Sequence, residues 1–129
     1  MKSITLPGRR KELIAFIEEL ADPGIQERFW IRYEDAPMSS DIDEVFHFFF
    51  DDTDIGESPF EQIGICLHNA EEAALVKGIT DLLESMLSRL GDVESQKYMA
   101  DPMWSEVVAR ASAALSLFRV SQTGDTGEI

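Results

Sequence analysis

Asp43, His47 and Asp51 recur at intervals of four, so a helix through them would stack two carboxylates and one imidazole on one face. Imidazole nitrogen and carboxylate oxygen together suit several divalent ions, which opens a metal-binding or metal-sensing reading of this stretch. The simpler expectation is that His47 packs half-buried, hydrogen-bonded to one of the carboxylates. The chain has only 2 histidines, and two acids with one imidazole are not a specific ligand signature. The run that follows, D-D-T-D-I-G-E over 51–57, invites comparison with a calcium-binding loop and fails on spacing. A loop begun at Asp51 puts Gly56 correctly at the sixth place, but Ile55 falls where a ligand belongs and Gln62 replaces the closing acid. Begun at Asp52, it misplaces the glycine and closes on Ile63. A solvated acidic turn is the expectation, with no metal and no cofactor.

Other chemistries leave less trace. No G-x-S-x-G, P-loop, H-E-x-x-H or glycine-rich phosphate cradle occurs. With 25 acidic residues, the mere presence of a carboxylate pair says nothing about acid–base catalysis. Cys66 is the single cysteine, which excludes an internal disulfide and a cysteine-based zinc site. Set within I-G-I-C-L, it reads as a buried, inert thiol. Trp30 and Trp104 read as core residues rather than stacking platforms for a ligand. The expectation is a protein that is not an enzyme.

Charge is the strongest signal. The formal net charge is -14 in 129 residues, and from Tyr33 to Val76 there is no lysine or arginine at all. Such a field repels nucleic acid and anionic membranes and draws in basic partners. Asp41, Glu44, Asp52, Asp54 and Glu57 are the expected partner-binding side chains, because carboxylates are rarely buried without a partner. Arg9, Arg10 and Lys11 form a small basic cluster, expected to be solvated or paired with local acids. No apolar run approaches the roughly 20 residues that cross a bilayer. The N-terminal M-K-S-I-T-L-P-G-R-R has no signal-peptide core, so the cytoplasm is the expected location.

The elements that must position these groups are mainly helical. Leu13, Phe16, Ile17 and Leu20 form an apolar stripe that predicts a helix over about 8–20, with Pro7 near its start. Asp22 and Pro23 suit the cap and first position of a second helix, although Gly24 weakens it and R-F-W-I-R-Y also fits an extended segment. E-D-A-P-M-S-S, 34–40, reads as a loop. Capped by Ser40 or Asp41, the 42–50 run places Ile42, Val45, Phe46 and Phe49 on one face, and Phe48 and Phe50 widen it. A strand through 44–50 would be apolar on both faces, and periodicity alone does not separate the two readings. E-Q-I-G-I-C-L is a short apolar stretch of open type. Asn69 as cap, Glu72 three residues on, the stripe from Leu75 to Leu90 and Gly91 just past the end predict a helix over 70–90. Asp101 and Pro102 open a last helix over 102–118 that carries Trp104, Val107, Val108, Ala111, Leu115 and Phe118. Leu82, Leu83, Met86, Val108, Leu115 and Phe118 are the expected shared core of these two helices.

D-P-G-I-Q-E-R-F-W, D-I-D-E-V-F-H-F-F-F-D-D-T-D followed by I-G, and A-D-P-M-W resemble a largely uncharacterised family of small acidic bacterial proteins. The resemblance covers most of residues 6–118, and D-x-D-x-V-x-H-F-x-F-D-D-T is its most specific part. It implies no catalytic residue and no cofactor. In size, acidity and compactness the chain also resembles, in style, bacterial toxin-immunity proteins. The expectation is therefore a single compact domain of about four to six helices over 1–119 with a disordered tail over 120–129. An α+β fold with a short hairpin around residues 29–50 is the alternative. The expected function is a non-enzymatic binder of a basic protein, a cognate toxin domain whose basic cleft it would occlude. Metal binding through Asp43, His47 and Asp51, or a regulatory interaction module, is the alternative function.

Overall fold

A computed structural model describes residues 4–32 and 41–127, with the backbone alone over 121–127. The first helix, α1, is Pro7–Ala21, with its proline in the first turn, where a missing N–H costs no helical hydrogen bond. Its buried stripe is Leu13, Ile17 and Leu20, joined unexpectedly by Arg10. The Asp22 side chain accepts hydrogen bonds from the Gly24 and Ile25 N–H groups and so opens α2, Pro23–Ile25. That helix continues as a wider π-helical turn, Gln26–Ile31, in which the Arg32 N–H donates to the Glu27 carbonyl at 3.0 Å.

Helix α3, Ile42–Phe46, starts at Asp41, whose carboxylate accepts from the Glu44 N–H, and it runs on as a second π-helical turn, His47–Asp52. Residues 29–31 and 44–50 are thus helical, and the hairpin alternative is overturned where it is described; residues 33–40, with the expected loop, lie outside the described residues. Among the described residues there is no strand, only an isolated bridge between Ile63 and Leu67. The E-Q-I-G-I-C-L stretch resolves into the end of a 3-10 turn, Pro59–Gln62, followed by that bridged turn. Gly64 there has φ 89°, a backbone conformation that disfavours any side chain.

Helix α4, Ala70–Leu90, has the predicted bounds and the predicted Asn69 cap, whose side chain accepts from the Glu72 N–H. Gly91, at φ 75°, ends it. The short α5, Ser95–Met99, leads to α6, Trp104–Gly127. The Met103 N–H donates to the Asp101 carboxylate in the turn before it, and α6 starts two residues later than the predicted 102. Helix α6 runs past residue 120, where the tail was expected to begin, as far as Gly127.

Packing follows from a few long-range contacts. Arg10 at the start of α1 lies over the Phe118 ring, and Gln26, just beyond α1, bonds Trp104 at the start of α6, so the two helices run antiparallel. Arg110 donates to the Gly78 carbonyl and Arg89 grips Asp101, so α4 and α6 are antiparallel too. The run through α3 crosses from α5, where Ile42 N–H donates to Ser95 Oγ and Phe46 meets Tyr98, to α1, where Phe48 stacks on Phe16 at 4.6 Å. Leu83, Met86, Leu115 and Phe118 are buried as expected, whereas Leu82 and Val108 are half-buried at the margin of the stripe. Trp30 and Trp104 are core residues in edge contact at 5.8 Å.

Candidate functional site

The acidic segment is built on the aromatic run. Val45, Phe48 and Phe49 turn inward, Phe46 and Phe50 cover the edge, and the polar residues between them face out. The wide second π turn leaves carbonyls to be satisfied at its end. Thr53 Oγ1 donates to the Phe48 carbonyl at 2.7 Å, and the Gly56 N–H donates to the Phe49 carbonyl at 2.9 Å. A β-carbon on Gly56 would come within 2.6 Å of that same carbonyl oxygen and of the Phe50 ring. D-D-T-D-I-G is therefore a helix-terminating device. Its threonine and glycine fix the turn, which leaves its carboxylates free to face solvent.

The expected partner-binding side chains fall into two groups. Asp41 is half-buried and spends one oxygen on its cap, with Glu44 exposed beside it. Asp52, Asp54 and Glu57 are exposed around the turn, where the Ser58 N–H donates to the Asp54 carbonyl. The helical run between Asp41 and Asp52 sets the groups roughly 15 Å apart at the rise of a helix. Two residues depart from the expectation. Glu72 is fully buried and belongs to no surface: its carboxylate takes a two-pronged salt bridge from Arg10 at 2.8–2.9 Å and accepts the His68 N–H at 2.7 Å. Arg10 also donates to the Cys66 carbonyl, so within the basic cluster Arg10 is sequestered by a distant acid, whereas Arg9 pairs with the local Glu12 at 3.2 Å.

Asp92, from the connection between α4 and α5, was not foreseen and joins the first group. Burial, then the neighbouring Asp41 and Asp92 carboxylates, raise the Asp43 pKa above its ordinary value, with His47 opposing. Burial, then Asp43 and Asp92, likewise raise that of the Tyr98 hydroxyl, which donates to the Gly91 carbonyl at 2.7 Å. No sequence signal finds Asp92, because its proximity depends on α5 packing against α3.

The metal alternative gains nothing from the geometry. His47 Nδ1 lies 2.9 Å from Asp51 Oδ2, but the pair is exposed, at 61% and 64% of the side chains, rather than half-buried as expected. A partly filled site needs a third ligand, and among the described residues no three His, Cys, Asp or Glu side chains gather as metal ligands would. Asp43 feels the Asp41 and Asp92 carboxylates as well as His47. The Cys66 thiol is buried, and that burial pushes its pKa up to about 11 against the pull of Arg10. It is a poor nucleophile in that state. No helix among the described residues is long and apolar enough to cross a membrane.

Comparison with known proteins gives one assignment: no curated protein and no solved structure matches. A family model described as a domain of unknown function (DUF7945) matches residues 4–126. That match spans nearly all of the chain and both ends of the acidic segment, and the protein belongs to the DUF7945 family.

Proposed function

We propose that this protein is a non-enzymatic inhibitor of the immunity type, which neutralises a bacterial toxin domain by covering a basic active-site cleft. The observation that carries this reading is the segment without lysine or arginine, whose Glu44, Asp52, Asp54 and Glu57 stay exposed on a rigid aromatic base. No ion pair with a described residue neutralises these four. A toxin that degrades nucleic acid carries a positive cleft, and an acidic surface of this kind is steered to it and excludes its substrate. Catalysis has no support in the site: the one cysteine is suppressed, the His47–Asp51 pair lies open to water, and the buried Arg10–Glu72 pair is engaged in structure.

The test starts with the reading frame next to this gene. Its product is co-expressed with the chain and scored for toxicity and for co-purification. Protection of the host by the wild type, lost in an Asp52→Lys, Asp54→Lys, Glu57→Lys variant of unchanged thermal stability, supports the reading. Equal protection by that variant places the binding surface elsewhere. A neighbouring product that neither harms the host nor binds removes the toxin part of the proposal.

A further inference from the structure

The acidic turn also carries an aromatic side chain that the fold leaves half exposed. Phe60 is 48% exposed and lies outside the core cluster and the residues packed against it. Leu6, 49% exposed, and the half-buried Ile65 are also outside it, and the Leu6 N–H donates to the Ile65 carbonyl at 2.8 Å, on the same turn. An isolated exposed apolar residue is ordinary, but the setting of Phe60 is not. Pro59 precedes it, the Glu61 N–H donates to the Ser58 carbonyl, and Gln62 accepts from the Ile65, Cys66 and Leu67 N–H groups. The backbone is thereby held before any partner arrives, so little ordering cost remains for binding. Asp54, Glu57 and Glu61, close to Phe60 in sequence, are exposed, and no ion pair with a described residue engages them.

An exposed aromatic side chain on a hydrogen-bonded turn whose sequence neighbours are exposed carboxylates suits an interface anchor. The aromatic fills a pocket and the polar rim excludes water around it. We propose that Phe60 is the apolar anchor of the interface, entering an apolar pocket on a basic protein whose rim presents lysine or arginine to Asp54, Glu57 and Glu61. This rests on the acidic-binder reading and narrows it to one end of the acidic segment. The charge of the turn dictates the partner's rim. A second copy of this chain would oppose carboxylate to carboxylate.

The experiment places p-benzoylphenylalanine, a photoreactive side chain, separately at Phe60, Glu44, Asp52 and Ser112, the last an exposed residue of α6 that serves as control. The full chain is irradiated in the cells that naturally make it, and crosslinked peptides are mapped. The expected result is one protein joined at position 60, through apolar residues flanked by lysine or arginine, and the same protein joined at 44 or 52. With that protein purified, Phe60→Ala should lower affinity by roughly thirtyfold, as for a hot-spot side chain, and leave the melting temperature unchanged. If probes at 44 and 52 capture a basic partner while position 60 gives no more than Ser112, the anchor is refuted and the acidic reading survives. If no position exceeds Ser112, both fail. Crosslinking of position 60 to a second copy of this chain, or wild-type affinity for Phe60→Ala, also overturns the anchor.

Discussion

At the scale of single residues, the buried Arg10–Glu72 pair ties the start of α1 to the start of α4. Its two charges are buried and satisfied together: the carboxylate accepts the His68 N–H and the guanidinium bonds the Cys66 carbonyl and stacks on Phe118. Removing one partner strands the other without water. Glu72→Ala is therefore expected to cost about 3–5 kcal/mol in urea unfolding, and a loss below about 1 kcal/mol would show that the pair is solvated. Cys66 gives a second test. Because burial raises its thiol to about 11, alkylation at mildly alkaline pH should track global unfolding rather than proceed in the native state. Asp43 titrates in the unusual direction for a carboxylate. Its folded pKa lies above the ordinary 3.8, so the folded state holds the proton more tightly than the unfolded state does. Stability from this group is present at low pH and is lost as pH rises from that value through the raised one. Asp43→Asn should thus melt higher than wild type at neutral pH and low salt, with the gap closing in acid. A gap that grows in acid would contradict the proximity of Asp41 and Asp92.

At the scale of elements, the two π-helical turns separate what could be read from what could not. Caps and ends were legible because they depend on neighbours in sequence: Asp22, Asp41 and Asn69 each accept the N–H bonds that their types and positions imply. The stripe over 70–90 was legible for the same reason, and Leu83→Ala should cost about 2–5 kcal/mol against less than about 2 kcal/mol for half-buried Leu82→Ala. The second π turn was not legible. Three consecutive phenylalanines, 48–50, give no periodicity that distinguishes one helical register from another, or helix from strand. Its signature lies downstream, in Thr53 and Gly56, which donate to the carbonyls of Phe48 and Phe49. Gly56→Ala is expected to destabilise by about 1–3 kcal/mol, because the group it meets is backbone and cannot swing aside; an unchanged midpoint would mean that the turn relaxes freely. Contacts between distant elements were equally hidden. Nothing local in A-E-E-A-A announces that the second glutamate, in the predicted capping-box position, turns back to Arg10 and His68 instead of serving its own cap.

At the scale of the whole molecule, fold and charge distribution carry the functional account. The helices α1, α4 and α6 share one core, and the run through α3 lays an aromatic base across it that presents carboxylates to water. The expected site residues were legible as a charge run. Their division into two groups was not, because it depends on the length of α3 and on Asp92 arriving from another connection. The central claim is that the exposed carboxylates after α3 are a binding surface for a basic protein rather than a device for solubility. Such a surface should act mainly on the rate of encounter, and salt should weaken it. The most direct measurement is stopped-flow association with the captured partner at increasing ionic strength, for wild type and for the Asp52→Lys, Asp54→Lys, Glu57→Lys variant. Exposed substitutions of this kind usually shift stability by only about 0.5 kcal/mol each, so the variant should fold. The account predicts that the wild-type rate falls about tenfold or more between roughly 0.05 M and 0.5 M salt, and that the variant associates slowly with little salt dependence. Equal rates for the two proteins at every ionic strength would contradict it.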